Sequence, residues 1–477
     1  MRIKTIIKYV AITCVALLYT ACTGPTLVQK TENKTVPVSY TNSQDTTNTA
    51  KVKWKKFFTD PYLANLIDTA LQNNQELNIM LQEINIAKNE VRARKGEYLP
   101  FVNLQAGAGI DKVARYTQLG ALEENNEIKP GQKFPDPLPN YLLAANASWE
   151  VDIWKKLRNA KKSAMFRYLS TTEGKNFMVT NLIAEIAASY YELMAFDNQL
   201  IILQKNIQIQ QNALAIVKME KEAAKVTELA VRRFEAEVLK NQSRQFYIKQ
   251  SITKAENRIN FLVGRFPQPV IRNSQGFIDL IPDSIQAGIP SQLLQNRPDI
   301  KQAELDLAAA RLDIKVAKAN FYPSLNIRAG VGYQAFNTKY LVTSPQSLLY
   351  SLAGDLVAPL INRNAIKAYY YSATSKQIQA AYNYERTVLN AYIEVANQLS
   401  NINNLKSSYD LKAQQVEALT RSIDISTGLF KSARADYMEV LLTQRDALES
   451  RFDLVETKMQ QLNAVVNIYR TLGGGWN

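Results

Sequence analysis

The chain has 477 residues, 46% of them hydrophobic and 21% charged, enough to bury one or two sizeable cores. It contains no histidine and only two cysteines, Cys14 and Cys22, which excludes His-based metal sites, Ser-His and Cys-His nucleophile pairs and a disulfide framework in the body. The formal charge of +14 comes from Lys and Arg scattered among Glu and Asp, with no basic run and no zinc or RNA-binding motif, so a solvated basic surface is expected rather than a nucleic-acid partner.

Residues 1–21 read as a signal peptide: Arg2, Lys4 and Lys8, an apolar stretch from Tyr9 to Tyr19, then Thr20-Ala21-Cys22. Without this segment the charge falls to +11. The segment resembles a lipoprotein signal in which Cys22 becomes the acylated first residue, with Tyr19 where a Leu is usual. One acyl chain anchors weakly, so stable attachment needs two or more at Cys22. Residues 22–50 form a linker rich in Thr, Asn, Ser and Gln.

The first half of the body spans 51–290. Asp60-Pro61 opens a helix whose Leu63, Leu66, Ile67, Ala70 and Leu71 share one face. A strand follows from about Phe101 to Ile110, then a loop-like stretch with Pro130, Gly131, Pro135, Pro137 and Pro139, then a second strand from Leu142 to Trp154. This strand pair, about 100–154, precedes a helical hairpin at about 155–264. No proline interrupts Tyr141 to Phe266, and Leu182, Ile186, Ala187, Tyr190, Leu193, Met194, Leu200, Leu203 and Ile207 recur at helical spacing. A helix of about 60 residues would rise about 90 Å, which implies a coiled coil or a helical tube.

The second half, 291–477, repeats the plan. Pro298 and Asp299 start a helix with Ala303, Leu307, Ala310, Ile314 and Ala317 on one face. Pro323 ends it, and Leu325, Ile327, Ala329 and Val331 then alternate with Asn326, Arg328 and Gly330 as a strand does. A strand pair at about 323–360 and a hairpin at about 361–470 complete it. Shifted by 223 positions, Leu71–Gly109 lies over Leu294–Gly332 without a gap. Each half also contains a turn, Ala223–Glu237 and Ser432–Ala447, laid over each other with Thr227 on Tyr437 and Glu228 on Met438. Strands of about ten residues suit a tilted transmembrane β-strand. Four such strands leave open edges that lipid does not permit, so the sheet must close with other copies. About eight strands make a filled barrel and about twelve leave a lumen, which three copies would supply.

The chain resembles the TolC-type outer-membrane efflux proteins, specifically the lipid-anchored ducts that serve resistance–nodulation–division pumps. The matching stretches are Trp54 to Leu77 with its FFTDPYLANLIDTALQNN, Trp149 to Trp154, Leu262 to Pro267, Arg297-Pro298-Asp299-Ile300, Tyr437 to Arg445, and Tyr469 to Trp476 with its LGGGW. The resemblance covers essentially the whole mature chain. It implies a mainly α fold with a transmembrane β part: a homotrimer whose 12-stranded barrel, four strands per protomer, continues into a periplasmic α-helical barrel about 100 Å long. A mixed equatorial domain would draw on Lys51–Leu77, Phe266–Leu294 and the C-terminal end. The implied role is the exit duct of a tripartite pump in the outer membrane of a Gram-negative bacterium, docking a periplasmic adaptor and an inner-membrane transporter. No catalytic residue, cofactor or metal is expected.

The resemblance also places a periplasmic aperture near the second turn. Met438 falls where relatives carry an apolar constriction residue, and Glu439 is an acid that some relatives carry; Leu442 replaces an acid common one turn later. Arg434, Asp436 and Tyr437 would hold the aperture by links to neighbouring helices. Three equal charges near a threefold axis would attract cations at a dewettable neck. Two rival readings stand beside this one. An enzyme with paired carboxylates lacks a cluster framed by Gly turns. A periplasmic coiled-coil adaptor or structural lipoprotein does not account for strand-end aromatics such as Tyr141, Trp149, Trp154, Tyr322, Tyr333 and Tyr350.

Overall fold

The computed structural model describes residues 25–40, 45–281, 286–432 and 434–476. Helix α1 (Pro61–Asn73) starts where expected, because the Asp60 carboxylate accepts hydrogen bonds from the backbone N–H groups of Tyr62 and Leu63 at 2.8 and 3.3 Å. After a break at Asn74 comes α2 (Gln75–Tyr98), then β1 (Phe101–Asp111), β2 (Leu138–Val151), α3 (Lys156–Glu222) and α4 (Glu228–Val263). The second half supplies α5 (Pro298–Ala319), β3 (Ser324–Ala335), β4 (Leu348–Val357), α6 (Asn364–Lys431) and α7 (Tyr437–Thr471). Among the described residues no helix is long and apolar enough to cross a membrane.

The residues form two compact units, and each unit draws on both halves of the chain. One holds Asn85–Leu169 and Leu305–Tyr382 with the described residues up to Thr31; the other holds the described residues of Glu32–Ile84, Ser170–Glu304 and Asn383–Asn477. The first contains one antiparallel sheet in the order β1-β2-β3-β4. The core of the second gathers Trp54, Phe57, Leu63, Ile67, Ile183, Ile186, Tyr190, Leu193, Ile259, Val263, Phe277 and Tyr469. Phe57 stacks on Tyr469 with ring centres 4.0 Å apart, and Tyr190 donates its hydroxyl to Asp60 at 2.9 Å. This core assembles the stretches expected to form an equatorial domain, because their short helices have too little apolar surface to fold alone.

Three local features differ from the sequence reading. Strand β2 runs from Leu138 to Val151 rather than Leu142 to Trp154. It leaves the sheet at Asp152 because that carboxylate accepts from the backbone N–H groups of Leu157 and Arg158 at 3.0 and 2.9 Å, starting α3. Its Pro139 is tolerated because the strand has a neighbour on one side only at that point. The loop between β1 and β2 contains a helix, Gln118–Asn125, and a small two-stranded ribbon. The polar linker is also fastened: Gln377 exchanges two hydrogen bonds with the backbone of Lys30 at 2.9 and 2.8 Å, and Tyr370 donates to the Thr26 carbonyl at 2.6 Å.

The duplication is visible bond by bond. The helix breaks at Asn74 and Arg297 are 223 residues apart and carry the same backbone bonds: Asn74 N–H to Ala70 and Arg297 N–H to Leu293, Asn78 N–H to Asn74 and Lys301 N–H to Arg297. The two hairpin turns match at an offset of 209. Ala223 to Met219, Lys225 to Glu220 and Ala230 to Thr227 correspond to Ser432 to Gly428, Arg434 to Leu429 and Glu439 to Asp436. The register expected from sequence is therefore corrected by one residue: Thr227 is equivalent to Asp436, and Met438 to Leu229. A turn with few landmark residues aligns ambiguously by letter, whereas its hydrogen bonds have one register.

Gly264 and Gly473 close the symmetry. They stand at φ +78° and +90°, and a Cβ would lie 2.4 Å from the Asn73 carbonyl oxygen or 2.8 Å from that of Asn296. Gly264→Ala and Gly473→Ala are each expected to destabilise by more than about 1 kcal/mol, read as a lower thermal midpoint of the detergent-solubilised protein. Gly96→Ala, where nothing lies within 4 Å, serves as the neutral comparison.

Candidate functional site

The register of the sheet sorts its side chains by chemistry. Following the pairs across the strands, one face carries Val102, Leu104, Ala106 and Ile110 of β1, then Leu143, Ala147 and Trp149 of β2. It continues through Leu325, Ile327, Val331 and Tyr333 of β3 to Leu348, Tyr350, Leu352 and Leu356 of β4. No charged or amide side chain lies on it. The opposite face carries every charged and amide residue of the four strands: Asn103, Gln105, Asp111, Asn140, Asn146, Glu150, Asn326, Arg328, Gln334 and Asp355. Asn146 donates to Gln105 there at 3.2 Å, and Arg328 stands 3.9 Å from Asp355.

A soluble sheet buries its apolar face; this one does not. Leu104, Tyr350 and Leu352 are 83, 82 and 79% exposed within the chain. Strands β1 and β4 each pair on one side only, so both edges present free backbone N–H and C=O groups. An exposed apolar band backed by a polar face is the pattern of a sheet with lipid on one side and water on the other. Trp149 donates its indole N–H to the Tyr98 carbonyl at 3.2 Å, and Trp154 stacks on Tyr322 at 4.8 Å while donating to the Pro323 carbonyl at 2.7 Å. Amphipathic rings at strand ends suit a membrane–water interface.

At the second hairpin turn the structure brings some of the expected aperture residues together and leaves others apart. Tyr437 and Met438 are half-buried against Val217, Ala230, Val231, Phe234 and Leu441. The Tyr437 ring lies 6.5 Å from that of Phe234, and Arg233 approaches the Met438 sulfur at 3.4 Å. Glu439 is exposed in the first turn of α7, where an acid meets the positive end of the helix. Arg434 is exposed, and Asp436 sits at the N-cap position without a side-chain capping bond. The first turn differs. Its Glu228 is paired with Lys221 at 3.1 Å and Arg232 at 2.8 Å, which hold its carboxyl below the usual range. Cys22, the expected lipidation site, lies outside the described residues.

One functional-looking cluster went unread in the sequence. Arg297, expected only as part of a helix-start motif, is 5% exposed. Its guanidinium donates to both oxygens of Asp299 at 2.9 and 2.6 Å, to Glu394 of α6 at 2.8 Å and to the Thr471 carbonyl at the end of α7 at 3.0 Å. Burial works against its charge, but the bonds and charges of Asp299 and Glu394 outweigh that and raise its pKa above the ordinary value. Asn74 holds the equivalent place, donating to the Leu262 carbonyl at 2.8 Å. Asp299 therefore serves Arg297 rather than only the helix end. The adjacent Arg-Pro-Asp letters were the available signal; Glu394, 97 residues away, offered none.

An amphipathic four-stranded sheet with open edges, joined in sequence to helices of 67 and 68 residues, defines a membrane-spanning channel subunit. A family model described as outer membrane efflux protein matches residues 66–265 and 289–474, and the chain belongs to that family. It is 26% identical over 427 residues to the pyoverdine export outer membrane protein OpmQ of Pseudomonas aeruginosa, covering 89% of this chain and 87% of the relative. It is 25% identical over 471 residues to the cation efflux system protein CusC of Escherichia coli, covering 97% and 98%. The open-state crystal structure of the Neisseria gonorrhoeae MtrE outer membrane channel superposes with a TM-score of 0.82 at 21% identity, covering 95% of this chain and 98% of that one. The fold is TolC-like, and the protein acts in efflux at the outer membrane.

Two predictions follow the geometry. Leu104→Arg and Tyr350→Arg place a charge on the apolar face and should each cost about 2–4 kcal/mol near the bilayer midplane, whereas Gln105→Arg should be tolerated. The yield of folded protein extracted from outer membranes measures this. Arg297→Met, which strands Asp299 and Glu394, should destabilise by about 3 kcal/mol, read as a fall in the thermal midpoint.

Proposed function

We propose that three copies of the chain close their four-stranded sheets into a 12-stranded outer-membrane barrel, with the helical hairpins forming a periplasmic tube below it. The assembly is the exit duct of a tripartite pump. Compounds pass from an inner-membrane resistance–nodulation–division transporter, through a tip held by a periplasmic adaptor, to the cell exterior. The pump supplies the energy and the duct conducts passively. Acylation of Cys22 anchors each protomer in the membrane by more than one chain.

The observation that carries this reading is the sheet: its apolar face is exposed, its other face is polar, and both edges are unpaired. In hydrocarbon each unsatisfied backbone group costs several kcal/mol, so the edges need partners of the same kind. A ring of three identical sheets supplies them and turns the polar faces toward an aqueous lumen. The relatives' names, which refer to pyoverdine export in one case and cation efflux in another, fit a duct whose cargo is chosen elsewhere in the pump.

Met438 and Glu439 line the resting aperture, and Arg434, Asp436 and Tyr437 hold it through links to neighbouring helices. The carboxylate of Glu439, exposed and without an ion-pair partner among the described residues, supports this, since three of them around a threefold axis attract cations at the neck. The half-buried Met438 supplies the apolar constriction.

The purified chain should run as a heat-modifiable trimer in detergent; a monomer soluble without detergent sinks the duct. In planar bilayers Glu439→Ala should reduce cation preference, and Met438→Ala should raise conductance several-fold. Unchanged selectivity and conductance in both would remove these residues from the aperture.

A further inference from the structure

The helical part of the second unit is held by two apolar clusters separated along the helices. One joins Leu203 and Ile207 of α3 to Ile248 of α4 and to Leu448 and Phe452 of α7. The other, nearer the turns, joins Val217 of α3 to Ala230, Val231 and Phe234 of α4 and Leu441 of α7. Between them the same three helices place amides where apolar residues would be expected. Gln210 and Asn241 are each 1% exposed and Gln444 is 5%.

The levels of these residues follow from contacts on either side. Arg233 meets Met438 nearer the turns, and Arg244 meets Glu449 at 2.6 Å farther from them, so Gln444 is bracketed at the height of Asn241. Asn241 lies across from Gln210, donating to it at 2.9 Å. Three polar atoms of the layer have no partner among the described residues: the side-chain oxygens of Asn241 and Gln444 and the amide nitrogen of Gln210. One donor and two acceptors, all nine-tenths buried, suit water, which both accepts and donates; a bare cation would face the Gln210 NH2 group.

We infer that Gln210, Asn241 and Gln444 form a water-holding layer between the first hairpin and α7 that lets α7 shift against α3 and α4. An apolar layer here would join the two clusters into one continuous seam, whose packing is lost as a whole when one helix slides. Amides bridged by water keep their hydrogen bonds through a small displacement because the water moves with them. The layer thus divides the helix contact into a fixed upper part and a lower part free to move with the aperture. This rests on the channel reading above and adds the element that permits its opening.

The test uses the full detergent-solubilised assembly. Gln444→Met and the pair Gln210→Leu with Asn241→Leu remove the polar layer while keeping its volume. Both are expected to raise the thermal midpoint by several degrees and to lower open-state conductance in planar bilayers several-fold. In the wild type, backbone hydrogen exchange at Gln210 and Asn241 should be at least tenfold faster than at Leu203 and Ile248. Equal protection at both levels overturns the layer, whether or not the variants fold. A raised midpoint with unchanged conductance overturns its role in movement. A wild-type protein that conducts nothing in the bilayer sinks the channel reading itself, independently of the variants.

Discussion

The unpaired backbone along β1 and β4 is the constraint from which the rest of the molecule takes its form. A four-stranded sheet with an apolar face 10 to 14 residues tall has only two ways to satisfy its edges, water or more strands. Lipid removes the first. The alternation of side chains then follows: whatever faces the hydrocarbon must be apolar, and whatever faces the enclosed space is free to carry Asn, Gln, Arg and Asp. The segregation across four strands is complete among charged and amide residues.

Duplication explains how one chain supplies two strand pairs and two helical hairpins with matching geometry. The halves have kept their backbone bonds more faithfully than their side chains. Asn74 and Arg297 occupy equivalent helix breaks and donate to equivalent carbonyls, Leu262 and Thr471, yet one is a neutral amide and the other a buried cation with two carboxylate partners. The backbone arrangement is dictated by the need to cap a helix end inside a core, where an orphan carbonyl is costly. The side chain that does so was free to diverge. Divergence at the turns went further: Glu228 is locked between two cations, while Glu439, in the matching helix start region, is exposed and has no ion-pair partner among the described residues.

Stability is distributed unevenly along the helices for a reason that function supplies. The large core around Tyr190, Ile259 and Tyr469 ties helices, belt segments and C-terminal glycines together. Toward the turns the contacts become small apolar groups alternating with amides and exposed ion pairs such as Arg232–Glu235. Exposed pairs contribute little, about 0–1 kcal/mol, so the end of the hairpins is the loosely held end.

The sequence alone determined the elements and their repetition. Prolines 61, 298 and 323 marked starts and stops, helical spacing found the buried faces of α1, α3 and α5, and alternation found β3, because each of these is a local consequence of backbone geometry; the repeat then carried that strand over to β1. The same letters, through family resemblance, reached the duct and the turn that carries Met438 and Glu439. Other features depended on residues far apart in the chain. The apolar face of β2, with its LLAANAS run, became legible only through its register against β1 and β3. The Arg297–Glu394 contact, the fastening of the linker by Gln377 and the amide layer join residues tens to hundreds of positions apart. Periodicity reports which side of an element is apolar, but which distant group a buried polar atom meets is decided only when the helices are packed.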